Sequence, residues 1–574
     1  MPPAPRRLLT LAALVPALAC NGRGDGTGST SGATTSGATS ATSSSTTLDT
    51  SSGSGQTSAA TSTGATESTG QATASTTDTT AGVKFDLPVP DGGGVDTDTD
   101  TGDVDESTCE AAAMSLTSAG CLFAPIVTNT LPQNLPWAVI AANTGDAPAT
   151  ATLHDDDGAV IAMATIAPGE LHVFELSAGQ VDSLGVELPA TSGRTHQALL
   201  LESDRPIVAY QFFPYSSSQI ALADAAMLLP AHAWGDNYLA LMSANPGEGD
   251  KWITVVSLDD QNEVKVYVPA AATGSILAGG EVPTIGPGQD AALTLGKQDT
   301  LRLYAGANGD PISGTAIYSS KPVAVYVGSP GMSLPGPGFQ SFRDSLEEQI
   351  PPRSAWGTDY TAIKFQPRSS EADLYRIIAD KDGTVVTLTG DYQAQYDLDE
   401  GEFVEFATPA SFYASGNQAF LIAHFLTSCS NNAGPKDEAL FPGPYMASNN
   451  CGASTMSEDL GDPALTFLPP DAQWRSRYTF LTPATFAWDM ITVIGTADGW
   501  GTITLDGQPL PAPTPLAGGD KVFARVRVDD GPHFIQSPSH KFGLEVYGYD
   551  CRISYAYPGG LQLGSINIPP PPPN

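Results

Sequence analysis

A chain of 574 residues is too long for one ordinary hydrophobic core and suits about three to four domains. Its formal net charge of −37, from 25 basic and 62 acidic residues, excludes nucleic acid as a natural partner, because phosphate would be repelled. Only 15% of residues are charged, while 59 Gly and 47 Pro suit short strands and frequent turns rather than helical bundles.

Residues 1–19 read as a signal peptide. Arg6 and Arg7 precede an apolar run, LLTLAALVPALA (8–19), that leads into Cys20. The tripeptide Ala17-Leu18-Ala19 before that cysteine resembles the lipobox of bacterial lipoproteins, with Ala17 where Leu is preferred. The resemblance implies that Cys20 is lipidated and becomes the mature N-terminus. Cleavage at Ala19 without lipidation would instead release a secreted protein. No apolar run after residue 20 approaches the roughly 18–20 residues of a membrane helix, so membrane contact is expected through the lipid anchor only.

Residues 20–107 form the expected tether, rich in Ser, Thr, Gly and Asp. Residues 24–83 contain no Lys or Arg and very few large apolar residues, so burial cannot offset ordering entropy and the segment is expected to be disordered. A flexible chain of about 60 residues spans on the order of 40–45 Å. Asp96, Asp98, Asp100, Asp103 and Asp105 alternate like calcium ligands, but Thr101 stands where an EF-hand loop needs Gly and Ser107 where it needs Glu. They read as a solvated acidic linker.

From residue 108 the texture becomes all-β. ITVVSL (253–258), EVKVYV (263–268), TLRLYA (300–305), VVTLTG (385–390) and VFARVRV (522–528) read as strands. Turns are marked by Asn308-Gly309, Asp382-Gly383 and Asp506-Gly507. No long helical period is evident. The region also repeats itself. LPAHAWGDNY (229–238), IPPRSAWGTDY (350–360) and LPPDAQWRSRY (468–478) share a Pro, a short polar run, a Trp and a Tyr four residues on. The pairs are Trp234/Tyr238, Trp356/Tyr360 and Trp474/Tyr478. Recurrence at each junction favours a structural wedge between neighbouring units over a sugar-stacking platform. SDRPIVAYQ (203–211) and SSKPVAVYV (319–327) place Pro206 and Pro322 where a strand is expected to start.

These signatures divide the region into copies at 108–230, 231–350, 351–469 and 470–565, with a Pro-rich tail at 566–574. Each copy has room for about six to eight strands, the content of one β-sandwich. The expected fold is therefore tandem β-sandwich-like repeats behind a disordered N-terminal tether, with a β-propeller of two blades per copy as the alternative. Copy three carries an insertion at 429–464, read as a surface loop with or without a binding role. Beyond Cys20, five cysteines remain. Cys109–Cys121 and Cys429–Cys451 are the expected disulfides by proximity, and Cys551 is left over.

The chemistry-bearing motifs are missing. His154, His172, His196, His232, His424, His533 and His540 form no HExxH or zinc spacing, and the folded part holds no GxSxG elbow. GQDAALTLGK (288–297) has the wrong spacing for a phosphate loop. Asp155-Asp156-Asp157, Asp259-Asp260 and Glu347-Glu348 read as solvated turns. No catalytic residue, metal ligand or cofactor site is assigned.

SDRPIVAYQ, SSKPVAVYVGS, LPPDAQWRSRY and EVYGYDCRISYAYPGG together resemble the N-terminal domain family of IgGFc-binding protein, over about residues 120–565. The resemblance implies a secreted or surface binding module without a known catalytic centre, and it carries over no ligand-contacting residue. The expected function is thus a cell-surface lipoprotein in a bacterial envelope, on the outer membrane, binding an extracellular glycan, matrix or protein ligand. The alternatives are a secreted polymer-degrading hydrolase and a structural envelope component.

Overall fold

Three long strands, Leu200–Phe213, Ala316–Met332 and Phe412–Leu426, organise the first three copies. They belong to a computed structural model that describes residues 105–128, 135–215, 222–243, 250–306, 310, 312–334, 343–368, 370–428, 460–550 and 552–572. The signal peptide, Cys20, nearly all of the tether, Asn308-Gly309, Cys429, Cys451 and Cys551 lie outside these residues.

Each long strand serves two sheets. In copy two its first part pairs with Asn262–Tyr267 and Gly235–Leu239, and its second part with Lys251–Ser257 and Asp344–Gln349. Asp290–Leu295 and Thr300–Ala305 add one outer strand to each sheet. Copies one and three repeat this pattern strand for strand. In copy four the long strand is split into Gly531–Gln536 and Gly543–Asp550, which pair with separate sheets. Side chains alternate across the pleat, so one row from each sheet meets the other; Val255, Val264, Leu303 and Val325 of copy two are fully buried there.

Pro206 and Pro322 do not start strands. They sit in the middle of long strands, where the ladder slips register between Gly120 and Leu122 and between Tyr318 and Val323. The chain passes there from one sheet to the other, and a residue without an N–H loses nothing.

The Pro-Trp-Tyr segments are latches. Pro230, Pro352 and Pro470 each precede a single 3₁₀ turn that ends at Trp234, Trp356 or Trp474. Trp234 and Trp356 donate their indole N–H to Leu229 O (2.9 Å) and Pro351 O (3.2 Å). The hydroxyls of Tyr238, Tyr360 and Tyr478 accept from the N–H of Gly235, Gly357 and Arg475. They donate to the carbonyls of Val323, Phe420 and Phe542. Each tyrosine thus ties the first strand of its copy to the bend of that copy's own long strand. The element lodged between neighbouring copies is the proline. A Cβ on Gly120, Gly235 or Gly357 would lie 2.3, 2.6 or 2.4 Å from Cβ of Pro230, Pro352 or Pro470, the prolines that lead into the next copy's latch.

The copies close into a ring. The strands Asp224–Leu228, Asp344–Gln349, Ala464–Phe467 and Ile553–Pro558, one from each copy, touch in cyclic order around the axis, the last packing on the first. These inner strands are aligned start to start: Glu347 N–H donates to Asp224 Oδ2 (3.0 Å), and Ser554 N–H to Asp344 Oδ2 (3.1 Å). Closure repeats a contact used elsewhere. Tyr326 of copy two donates to Ala124 O of copy one (2.8 Å), and Tyr210 of copy one donates to Thr479 O of copy four (3.2 Å). Among the described residues, seven strands in each of copies one to three and nine in copy four, spread over two sheets, make each unit a sandwich rather than a pair of propeller blades.

Two short helices, Cys109–Ser115 and Ala178–Leu184, were not signalled by periodicity. Thr108 caps the first, its Oγ1 accepting from Ala111 N–H at 3.1 Å. Cys109 and Cys121 form a disulfide with Cα atoms 5.7 Å apart, which fastens this helix to the first strand of copy one. The C-terminal strand of chain crosses the junctions in turn: Gln562 N–H donates to Gln473 O, Ile566 N–H to Ser354 O, and Pro570 O accepts from Asn237 Nδ2.

Candidate functional site

The ring has two unlike faces. On one, the inner strands end in the Pro-Trp latches, and the N-terminal segment and C-terminal tail lie against them. On the other, each long strand ends and an inner strand begins. The described ends on this second face meet through Leu334 and Ser428, which exchange two hydrogen bonds (3.0 and 3.1 Å), and through Gly461 N–H to Asp550 O (2.7 Å). The described ends of the long strands and starts of the inner strands therefore gather on a single face around the axis.

The axis beneath this face is acidic. Asp344 accepts from the N–H groups of Ala223, Ser345 (3.0 Å) and Ser554 (3.1 Å), so one carboxylate clips three inner-strand starts. Asp224 accepts from Ala225 N–H (2.9 Å) as well as from Glu347 N–H. Glu347 accepts from Gln211 Nε2 at 2.6 Å and Thr128 Oγ1 at 2.8 Å. Burial pushes Asp224, Asp344 and Glu348 well above the usual carboxylate range, helped by their mutual repulsion, and lifts Glu347 to about 7 against the pull of Gln211, Thr128 and Arg302. Among the described residues no group of three or more His, Cys, Asp or Glu is placed to hold a metal ion.

A second polar cluster lies between copies three and four. Lys364 Nζ is 2.9 Å from Asp373 and 3.3 Å from Glu371, and all three are buried. His424 places Nε2 at 2.9 Å from Asp373 and Nδ1 at 3.3 Å from Glu545 of copy four. Burial opposes charge on Asp373, but Lys364 and His424 hold it down to about 2. Burial likewise opposes charge on His424, yet its bonds to Asp373 and Glu545 raise it above its ordinary value. No solvent reaches this cluster, so its chemistry is structural.

Trp234, Trp356, Trp474, Tyr238, Tyr360 and Tyr478 are all buried at the junctions, and Cys109 and Cys121 are joined. Residues 429–459 of the copy-three insertion lie outside the described residues. Its last residues do not form a loop surface: Leu460, Asp462 and Ala464 are buried at the axis, and the inner strand begins at Ala464. Glu347 and Glu348 are not in a solvated turn. They lie in the inner strand Asp344–Gln349 at 3% and 1% exposure, because other inner strands cover one side of it and its own sandwich the other. The axial acids were hidden in the sequence by this double burial, although Asp344 and Asp462 each stand eight residues before a junction proline.

Topology, closure and latch chemistry define an all-β protein of tandem sandwiches with a disulfide-fastened N-terminal segment. The family described as IgGFc binding protein matches residues 224–548, from the inner strand of copy one to the second half of the long strand of copy four, and the chain belongs to that family. No curated protein matches the chain. Among solved structures, a biofilm associated protein (BSP domain) is similar at 8% identity, over 57% of this chain and 81% of that one, with a TM-score of 0.09 that supports no shared fold.

Proposed function

We propose that this protein is a non-catalytic, lipid-anchored surface module that binds an extracellular protein through the face of its ring where the long strands end. The family's name describes binding to the Fc part of an immunoglobulin, and this supports a protein ligand ahead of a glycan or matrix polymer. The observation that carries the reading is the division of labour between the faces. Glu106, at the entry of the described chain, is fixed to Arg475 on the latch face (2.5 Å). The long strands end and the inner strands begin on the other. With the described chain entering at the latch face, the opposite face is the one left for a ligand.

The test uses cells displaying the full chain beside a Cys20→Ser variant. Palmitate labelling of the parent and not of the variant supports the anchor. Saturable capture of immunoglobulin Fc, mucin or another extracellular protein, competed by the purified chain, supports the binding role. Equal labelling of both, or no saturable capture of any extracellular protein, rejects the corresponding half of the proposal.

A further inference from the structure

The four seams of the ring are held by different chemistries, and one of them turns on a buried side chain whose charge a single proton decides. Aligning the copies on their latched carbonyls places His424 opposite Val327 and Val546, and on the Gly120–Ile207 pairing opposite Gln211. The same alignment places Glu545 opposite Tyr210 and Tyr326. Those tyrosines reach the preceding copy and donate to a backbone carbonyl. At the seam between copies two and three, Arg376 donates instead to Met242 O and to Asp310 Oδ2 (2.9 Å). A phenol and a guanidinium keep their protons throughout the neutral range. At the seam between copies three and four, the group that reaches back is a carboxylate, and the group that receives it is an imidazole.

Both ring nitrogens of His424 face carboxylates, Asp373 in its own copy and Glu545 in the next. An ionised carboxylate only accepts, so both contacts are hydrogen bonds only when both nitrogens carry protons. The ring is fully buried and lies flat between two aromatic faces, Phe365 at 3.9 Å and Tyr375 at 4.5 Å, an arrangement that suits a cation. We infer that His424 is a proton-operated bolt: as an imidazolium it locks copy four onto copy three, and its deprotonation loosens that seam.

The surroundings set the balance. Lys364 faces Asp373 and Glu371, and Arg368 stands 3.6 Å from Glu371, so Asp373 keeps a cation when His424 is neutral. From copy four, Arg525 donates to Lys364 O (2.8 Å), Tyr547 accepts from Gln366 N–H (3.1 Å), and Tyr549 donates to Gln366 O (2.9 Å). Among the described residues, Glu545 Oε2 has no hydrogen-bond partner, and His424 supplies the bond to Oε1. Loss of the His424 proton therefore falls on Glu545, the copy-four side of the seam. Because the imidazole is raised when folded, its contribution is fully present below the unfolded value near 6.5 and is lost as pH rises through the folded value.

Hydrogen exchange of the full chain at pH 6 and pH 9, corrected for intrinsic rate, tests this, with wild type compared with His424→Gln, the residue copy one carries at this place. In wild type, protection of segments 366–376, 420–426 and 543–550 is expected to fall severalfold beyond any change seen in the variant. The seam between copies one and two, where Glu347 titrates, should respond identically in both proteins. An equal pH response of the three segments in both proteins overturns the inference. If the variant does not fold, histidine-selective NMR of wild type decides: a buried imidazole still doubly protonated at pH 7 supports the bolt, and a neutral one overturns it.

Discussion

Three junctions of the ring and the fourth are built differently. At the first three, a proline enters the space left by a glycine of the preceding copy, and the chain runs on through the contact. At the fourth the N-terminal and C-terminal segments meet instead, Ser118 N–H donating to Leu561 O (2.9 Å). Arg475 replaces the glycine, and its guanidinium meets Glu106 at 2.5 Å and Ser118 at 3.2 Å inside the protein. At the latch itself the continuous junctions rest on shape, whereas the closing one rests on an ion pair with a residue from the far end of the chain. A ring made from one polypeptide has a single place where non-adjacent segments must find each other, and a buried ion pair gives that encounter a partner requirement.

Breaking the closing pair should have the largest effect. Glu106→Ala leaves Arg475 buried without its carboxylate and is expected to cost about 3–5 kcal/mol, read as a lower denaturant midpoint. Arg475→Gly restores the glycine of the other junctions but takes from Glu106 its nearest cation, leaving Arg477 at 3.6 Å and the Thr117 hydroxyl, so it should also destabilise, by less; a neutral or stabilising result would mean that shape alone closes the ring. Removing the disulfide by Cys109→Ser with Cys121→Ser is expected to cost about 2–4 kcal/mol, by freeing the segment that carries Glu106. Tyr360→Phe acts within one copy. It leaves Gly357 N–H and Phe420 O unpaired and should cost about 1–3 kcal/mol, without weakening closure.

Proton linkage adds a global effect. Asp224, Asp344 and Glu348 are raised by burial, and Glu347 to about 7, so the folded state holds protons the unfolded state releases. Their stabilisation is complete below the unfolded carboxylate values and is lost as pH rises through the folded ones. Urea unfolding should therefore show a higher midpoint at pH 5 than at pH 8, and Glu347→Gln should flatten the difference. Asp373, held at about 2, acts in the opposite sense, its contribution disappearing only as pH falls towards that value.

Strand positions were legible because alternation and turn residues are local. TLRLYA occupies the strand Thr300–Ala305, and Asp506-Gly507 turns with φ of 50° and 74°. The repeat was legible because each junction spends the same three residue types. What was not legible depends on the ring. Pro206 and Pro322 look like strand starts until two sheets share one strand. Glu347 and Glu348 look solvated until the inner strand is enclosed on both sides. His424 shows no motif, because Asp373 and Glu545 stand 51 and 121 residues away from it. Glu106 looks like the end of an acidic linker, because its partner is 369 residues distant.

Closure itself is tested most directly by a covalent trap. Thr117 and Gln562 face each other across an antiparallel bridge between the N-terminal segment and the tail behind copy four. In the full chain, Thr117→Cys with Gln562→Cys should form an intramolecular disulfide under mild oxidation, seen as a reducible shift in gel mobility and as a linked peptide after digestion. A closed ring predicts near-complete linkage within the folded monomer. Thiols that stay free in folded protein would show that copy four does not return to copy one, and would contradict the ring.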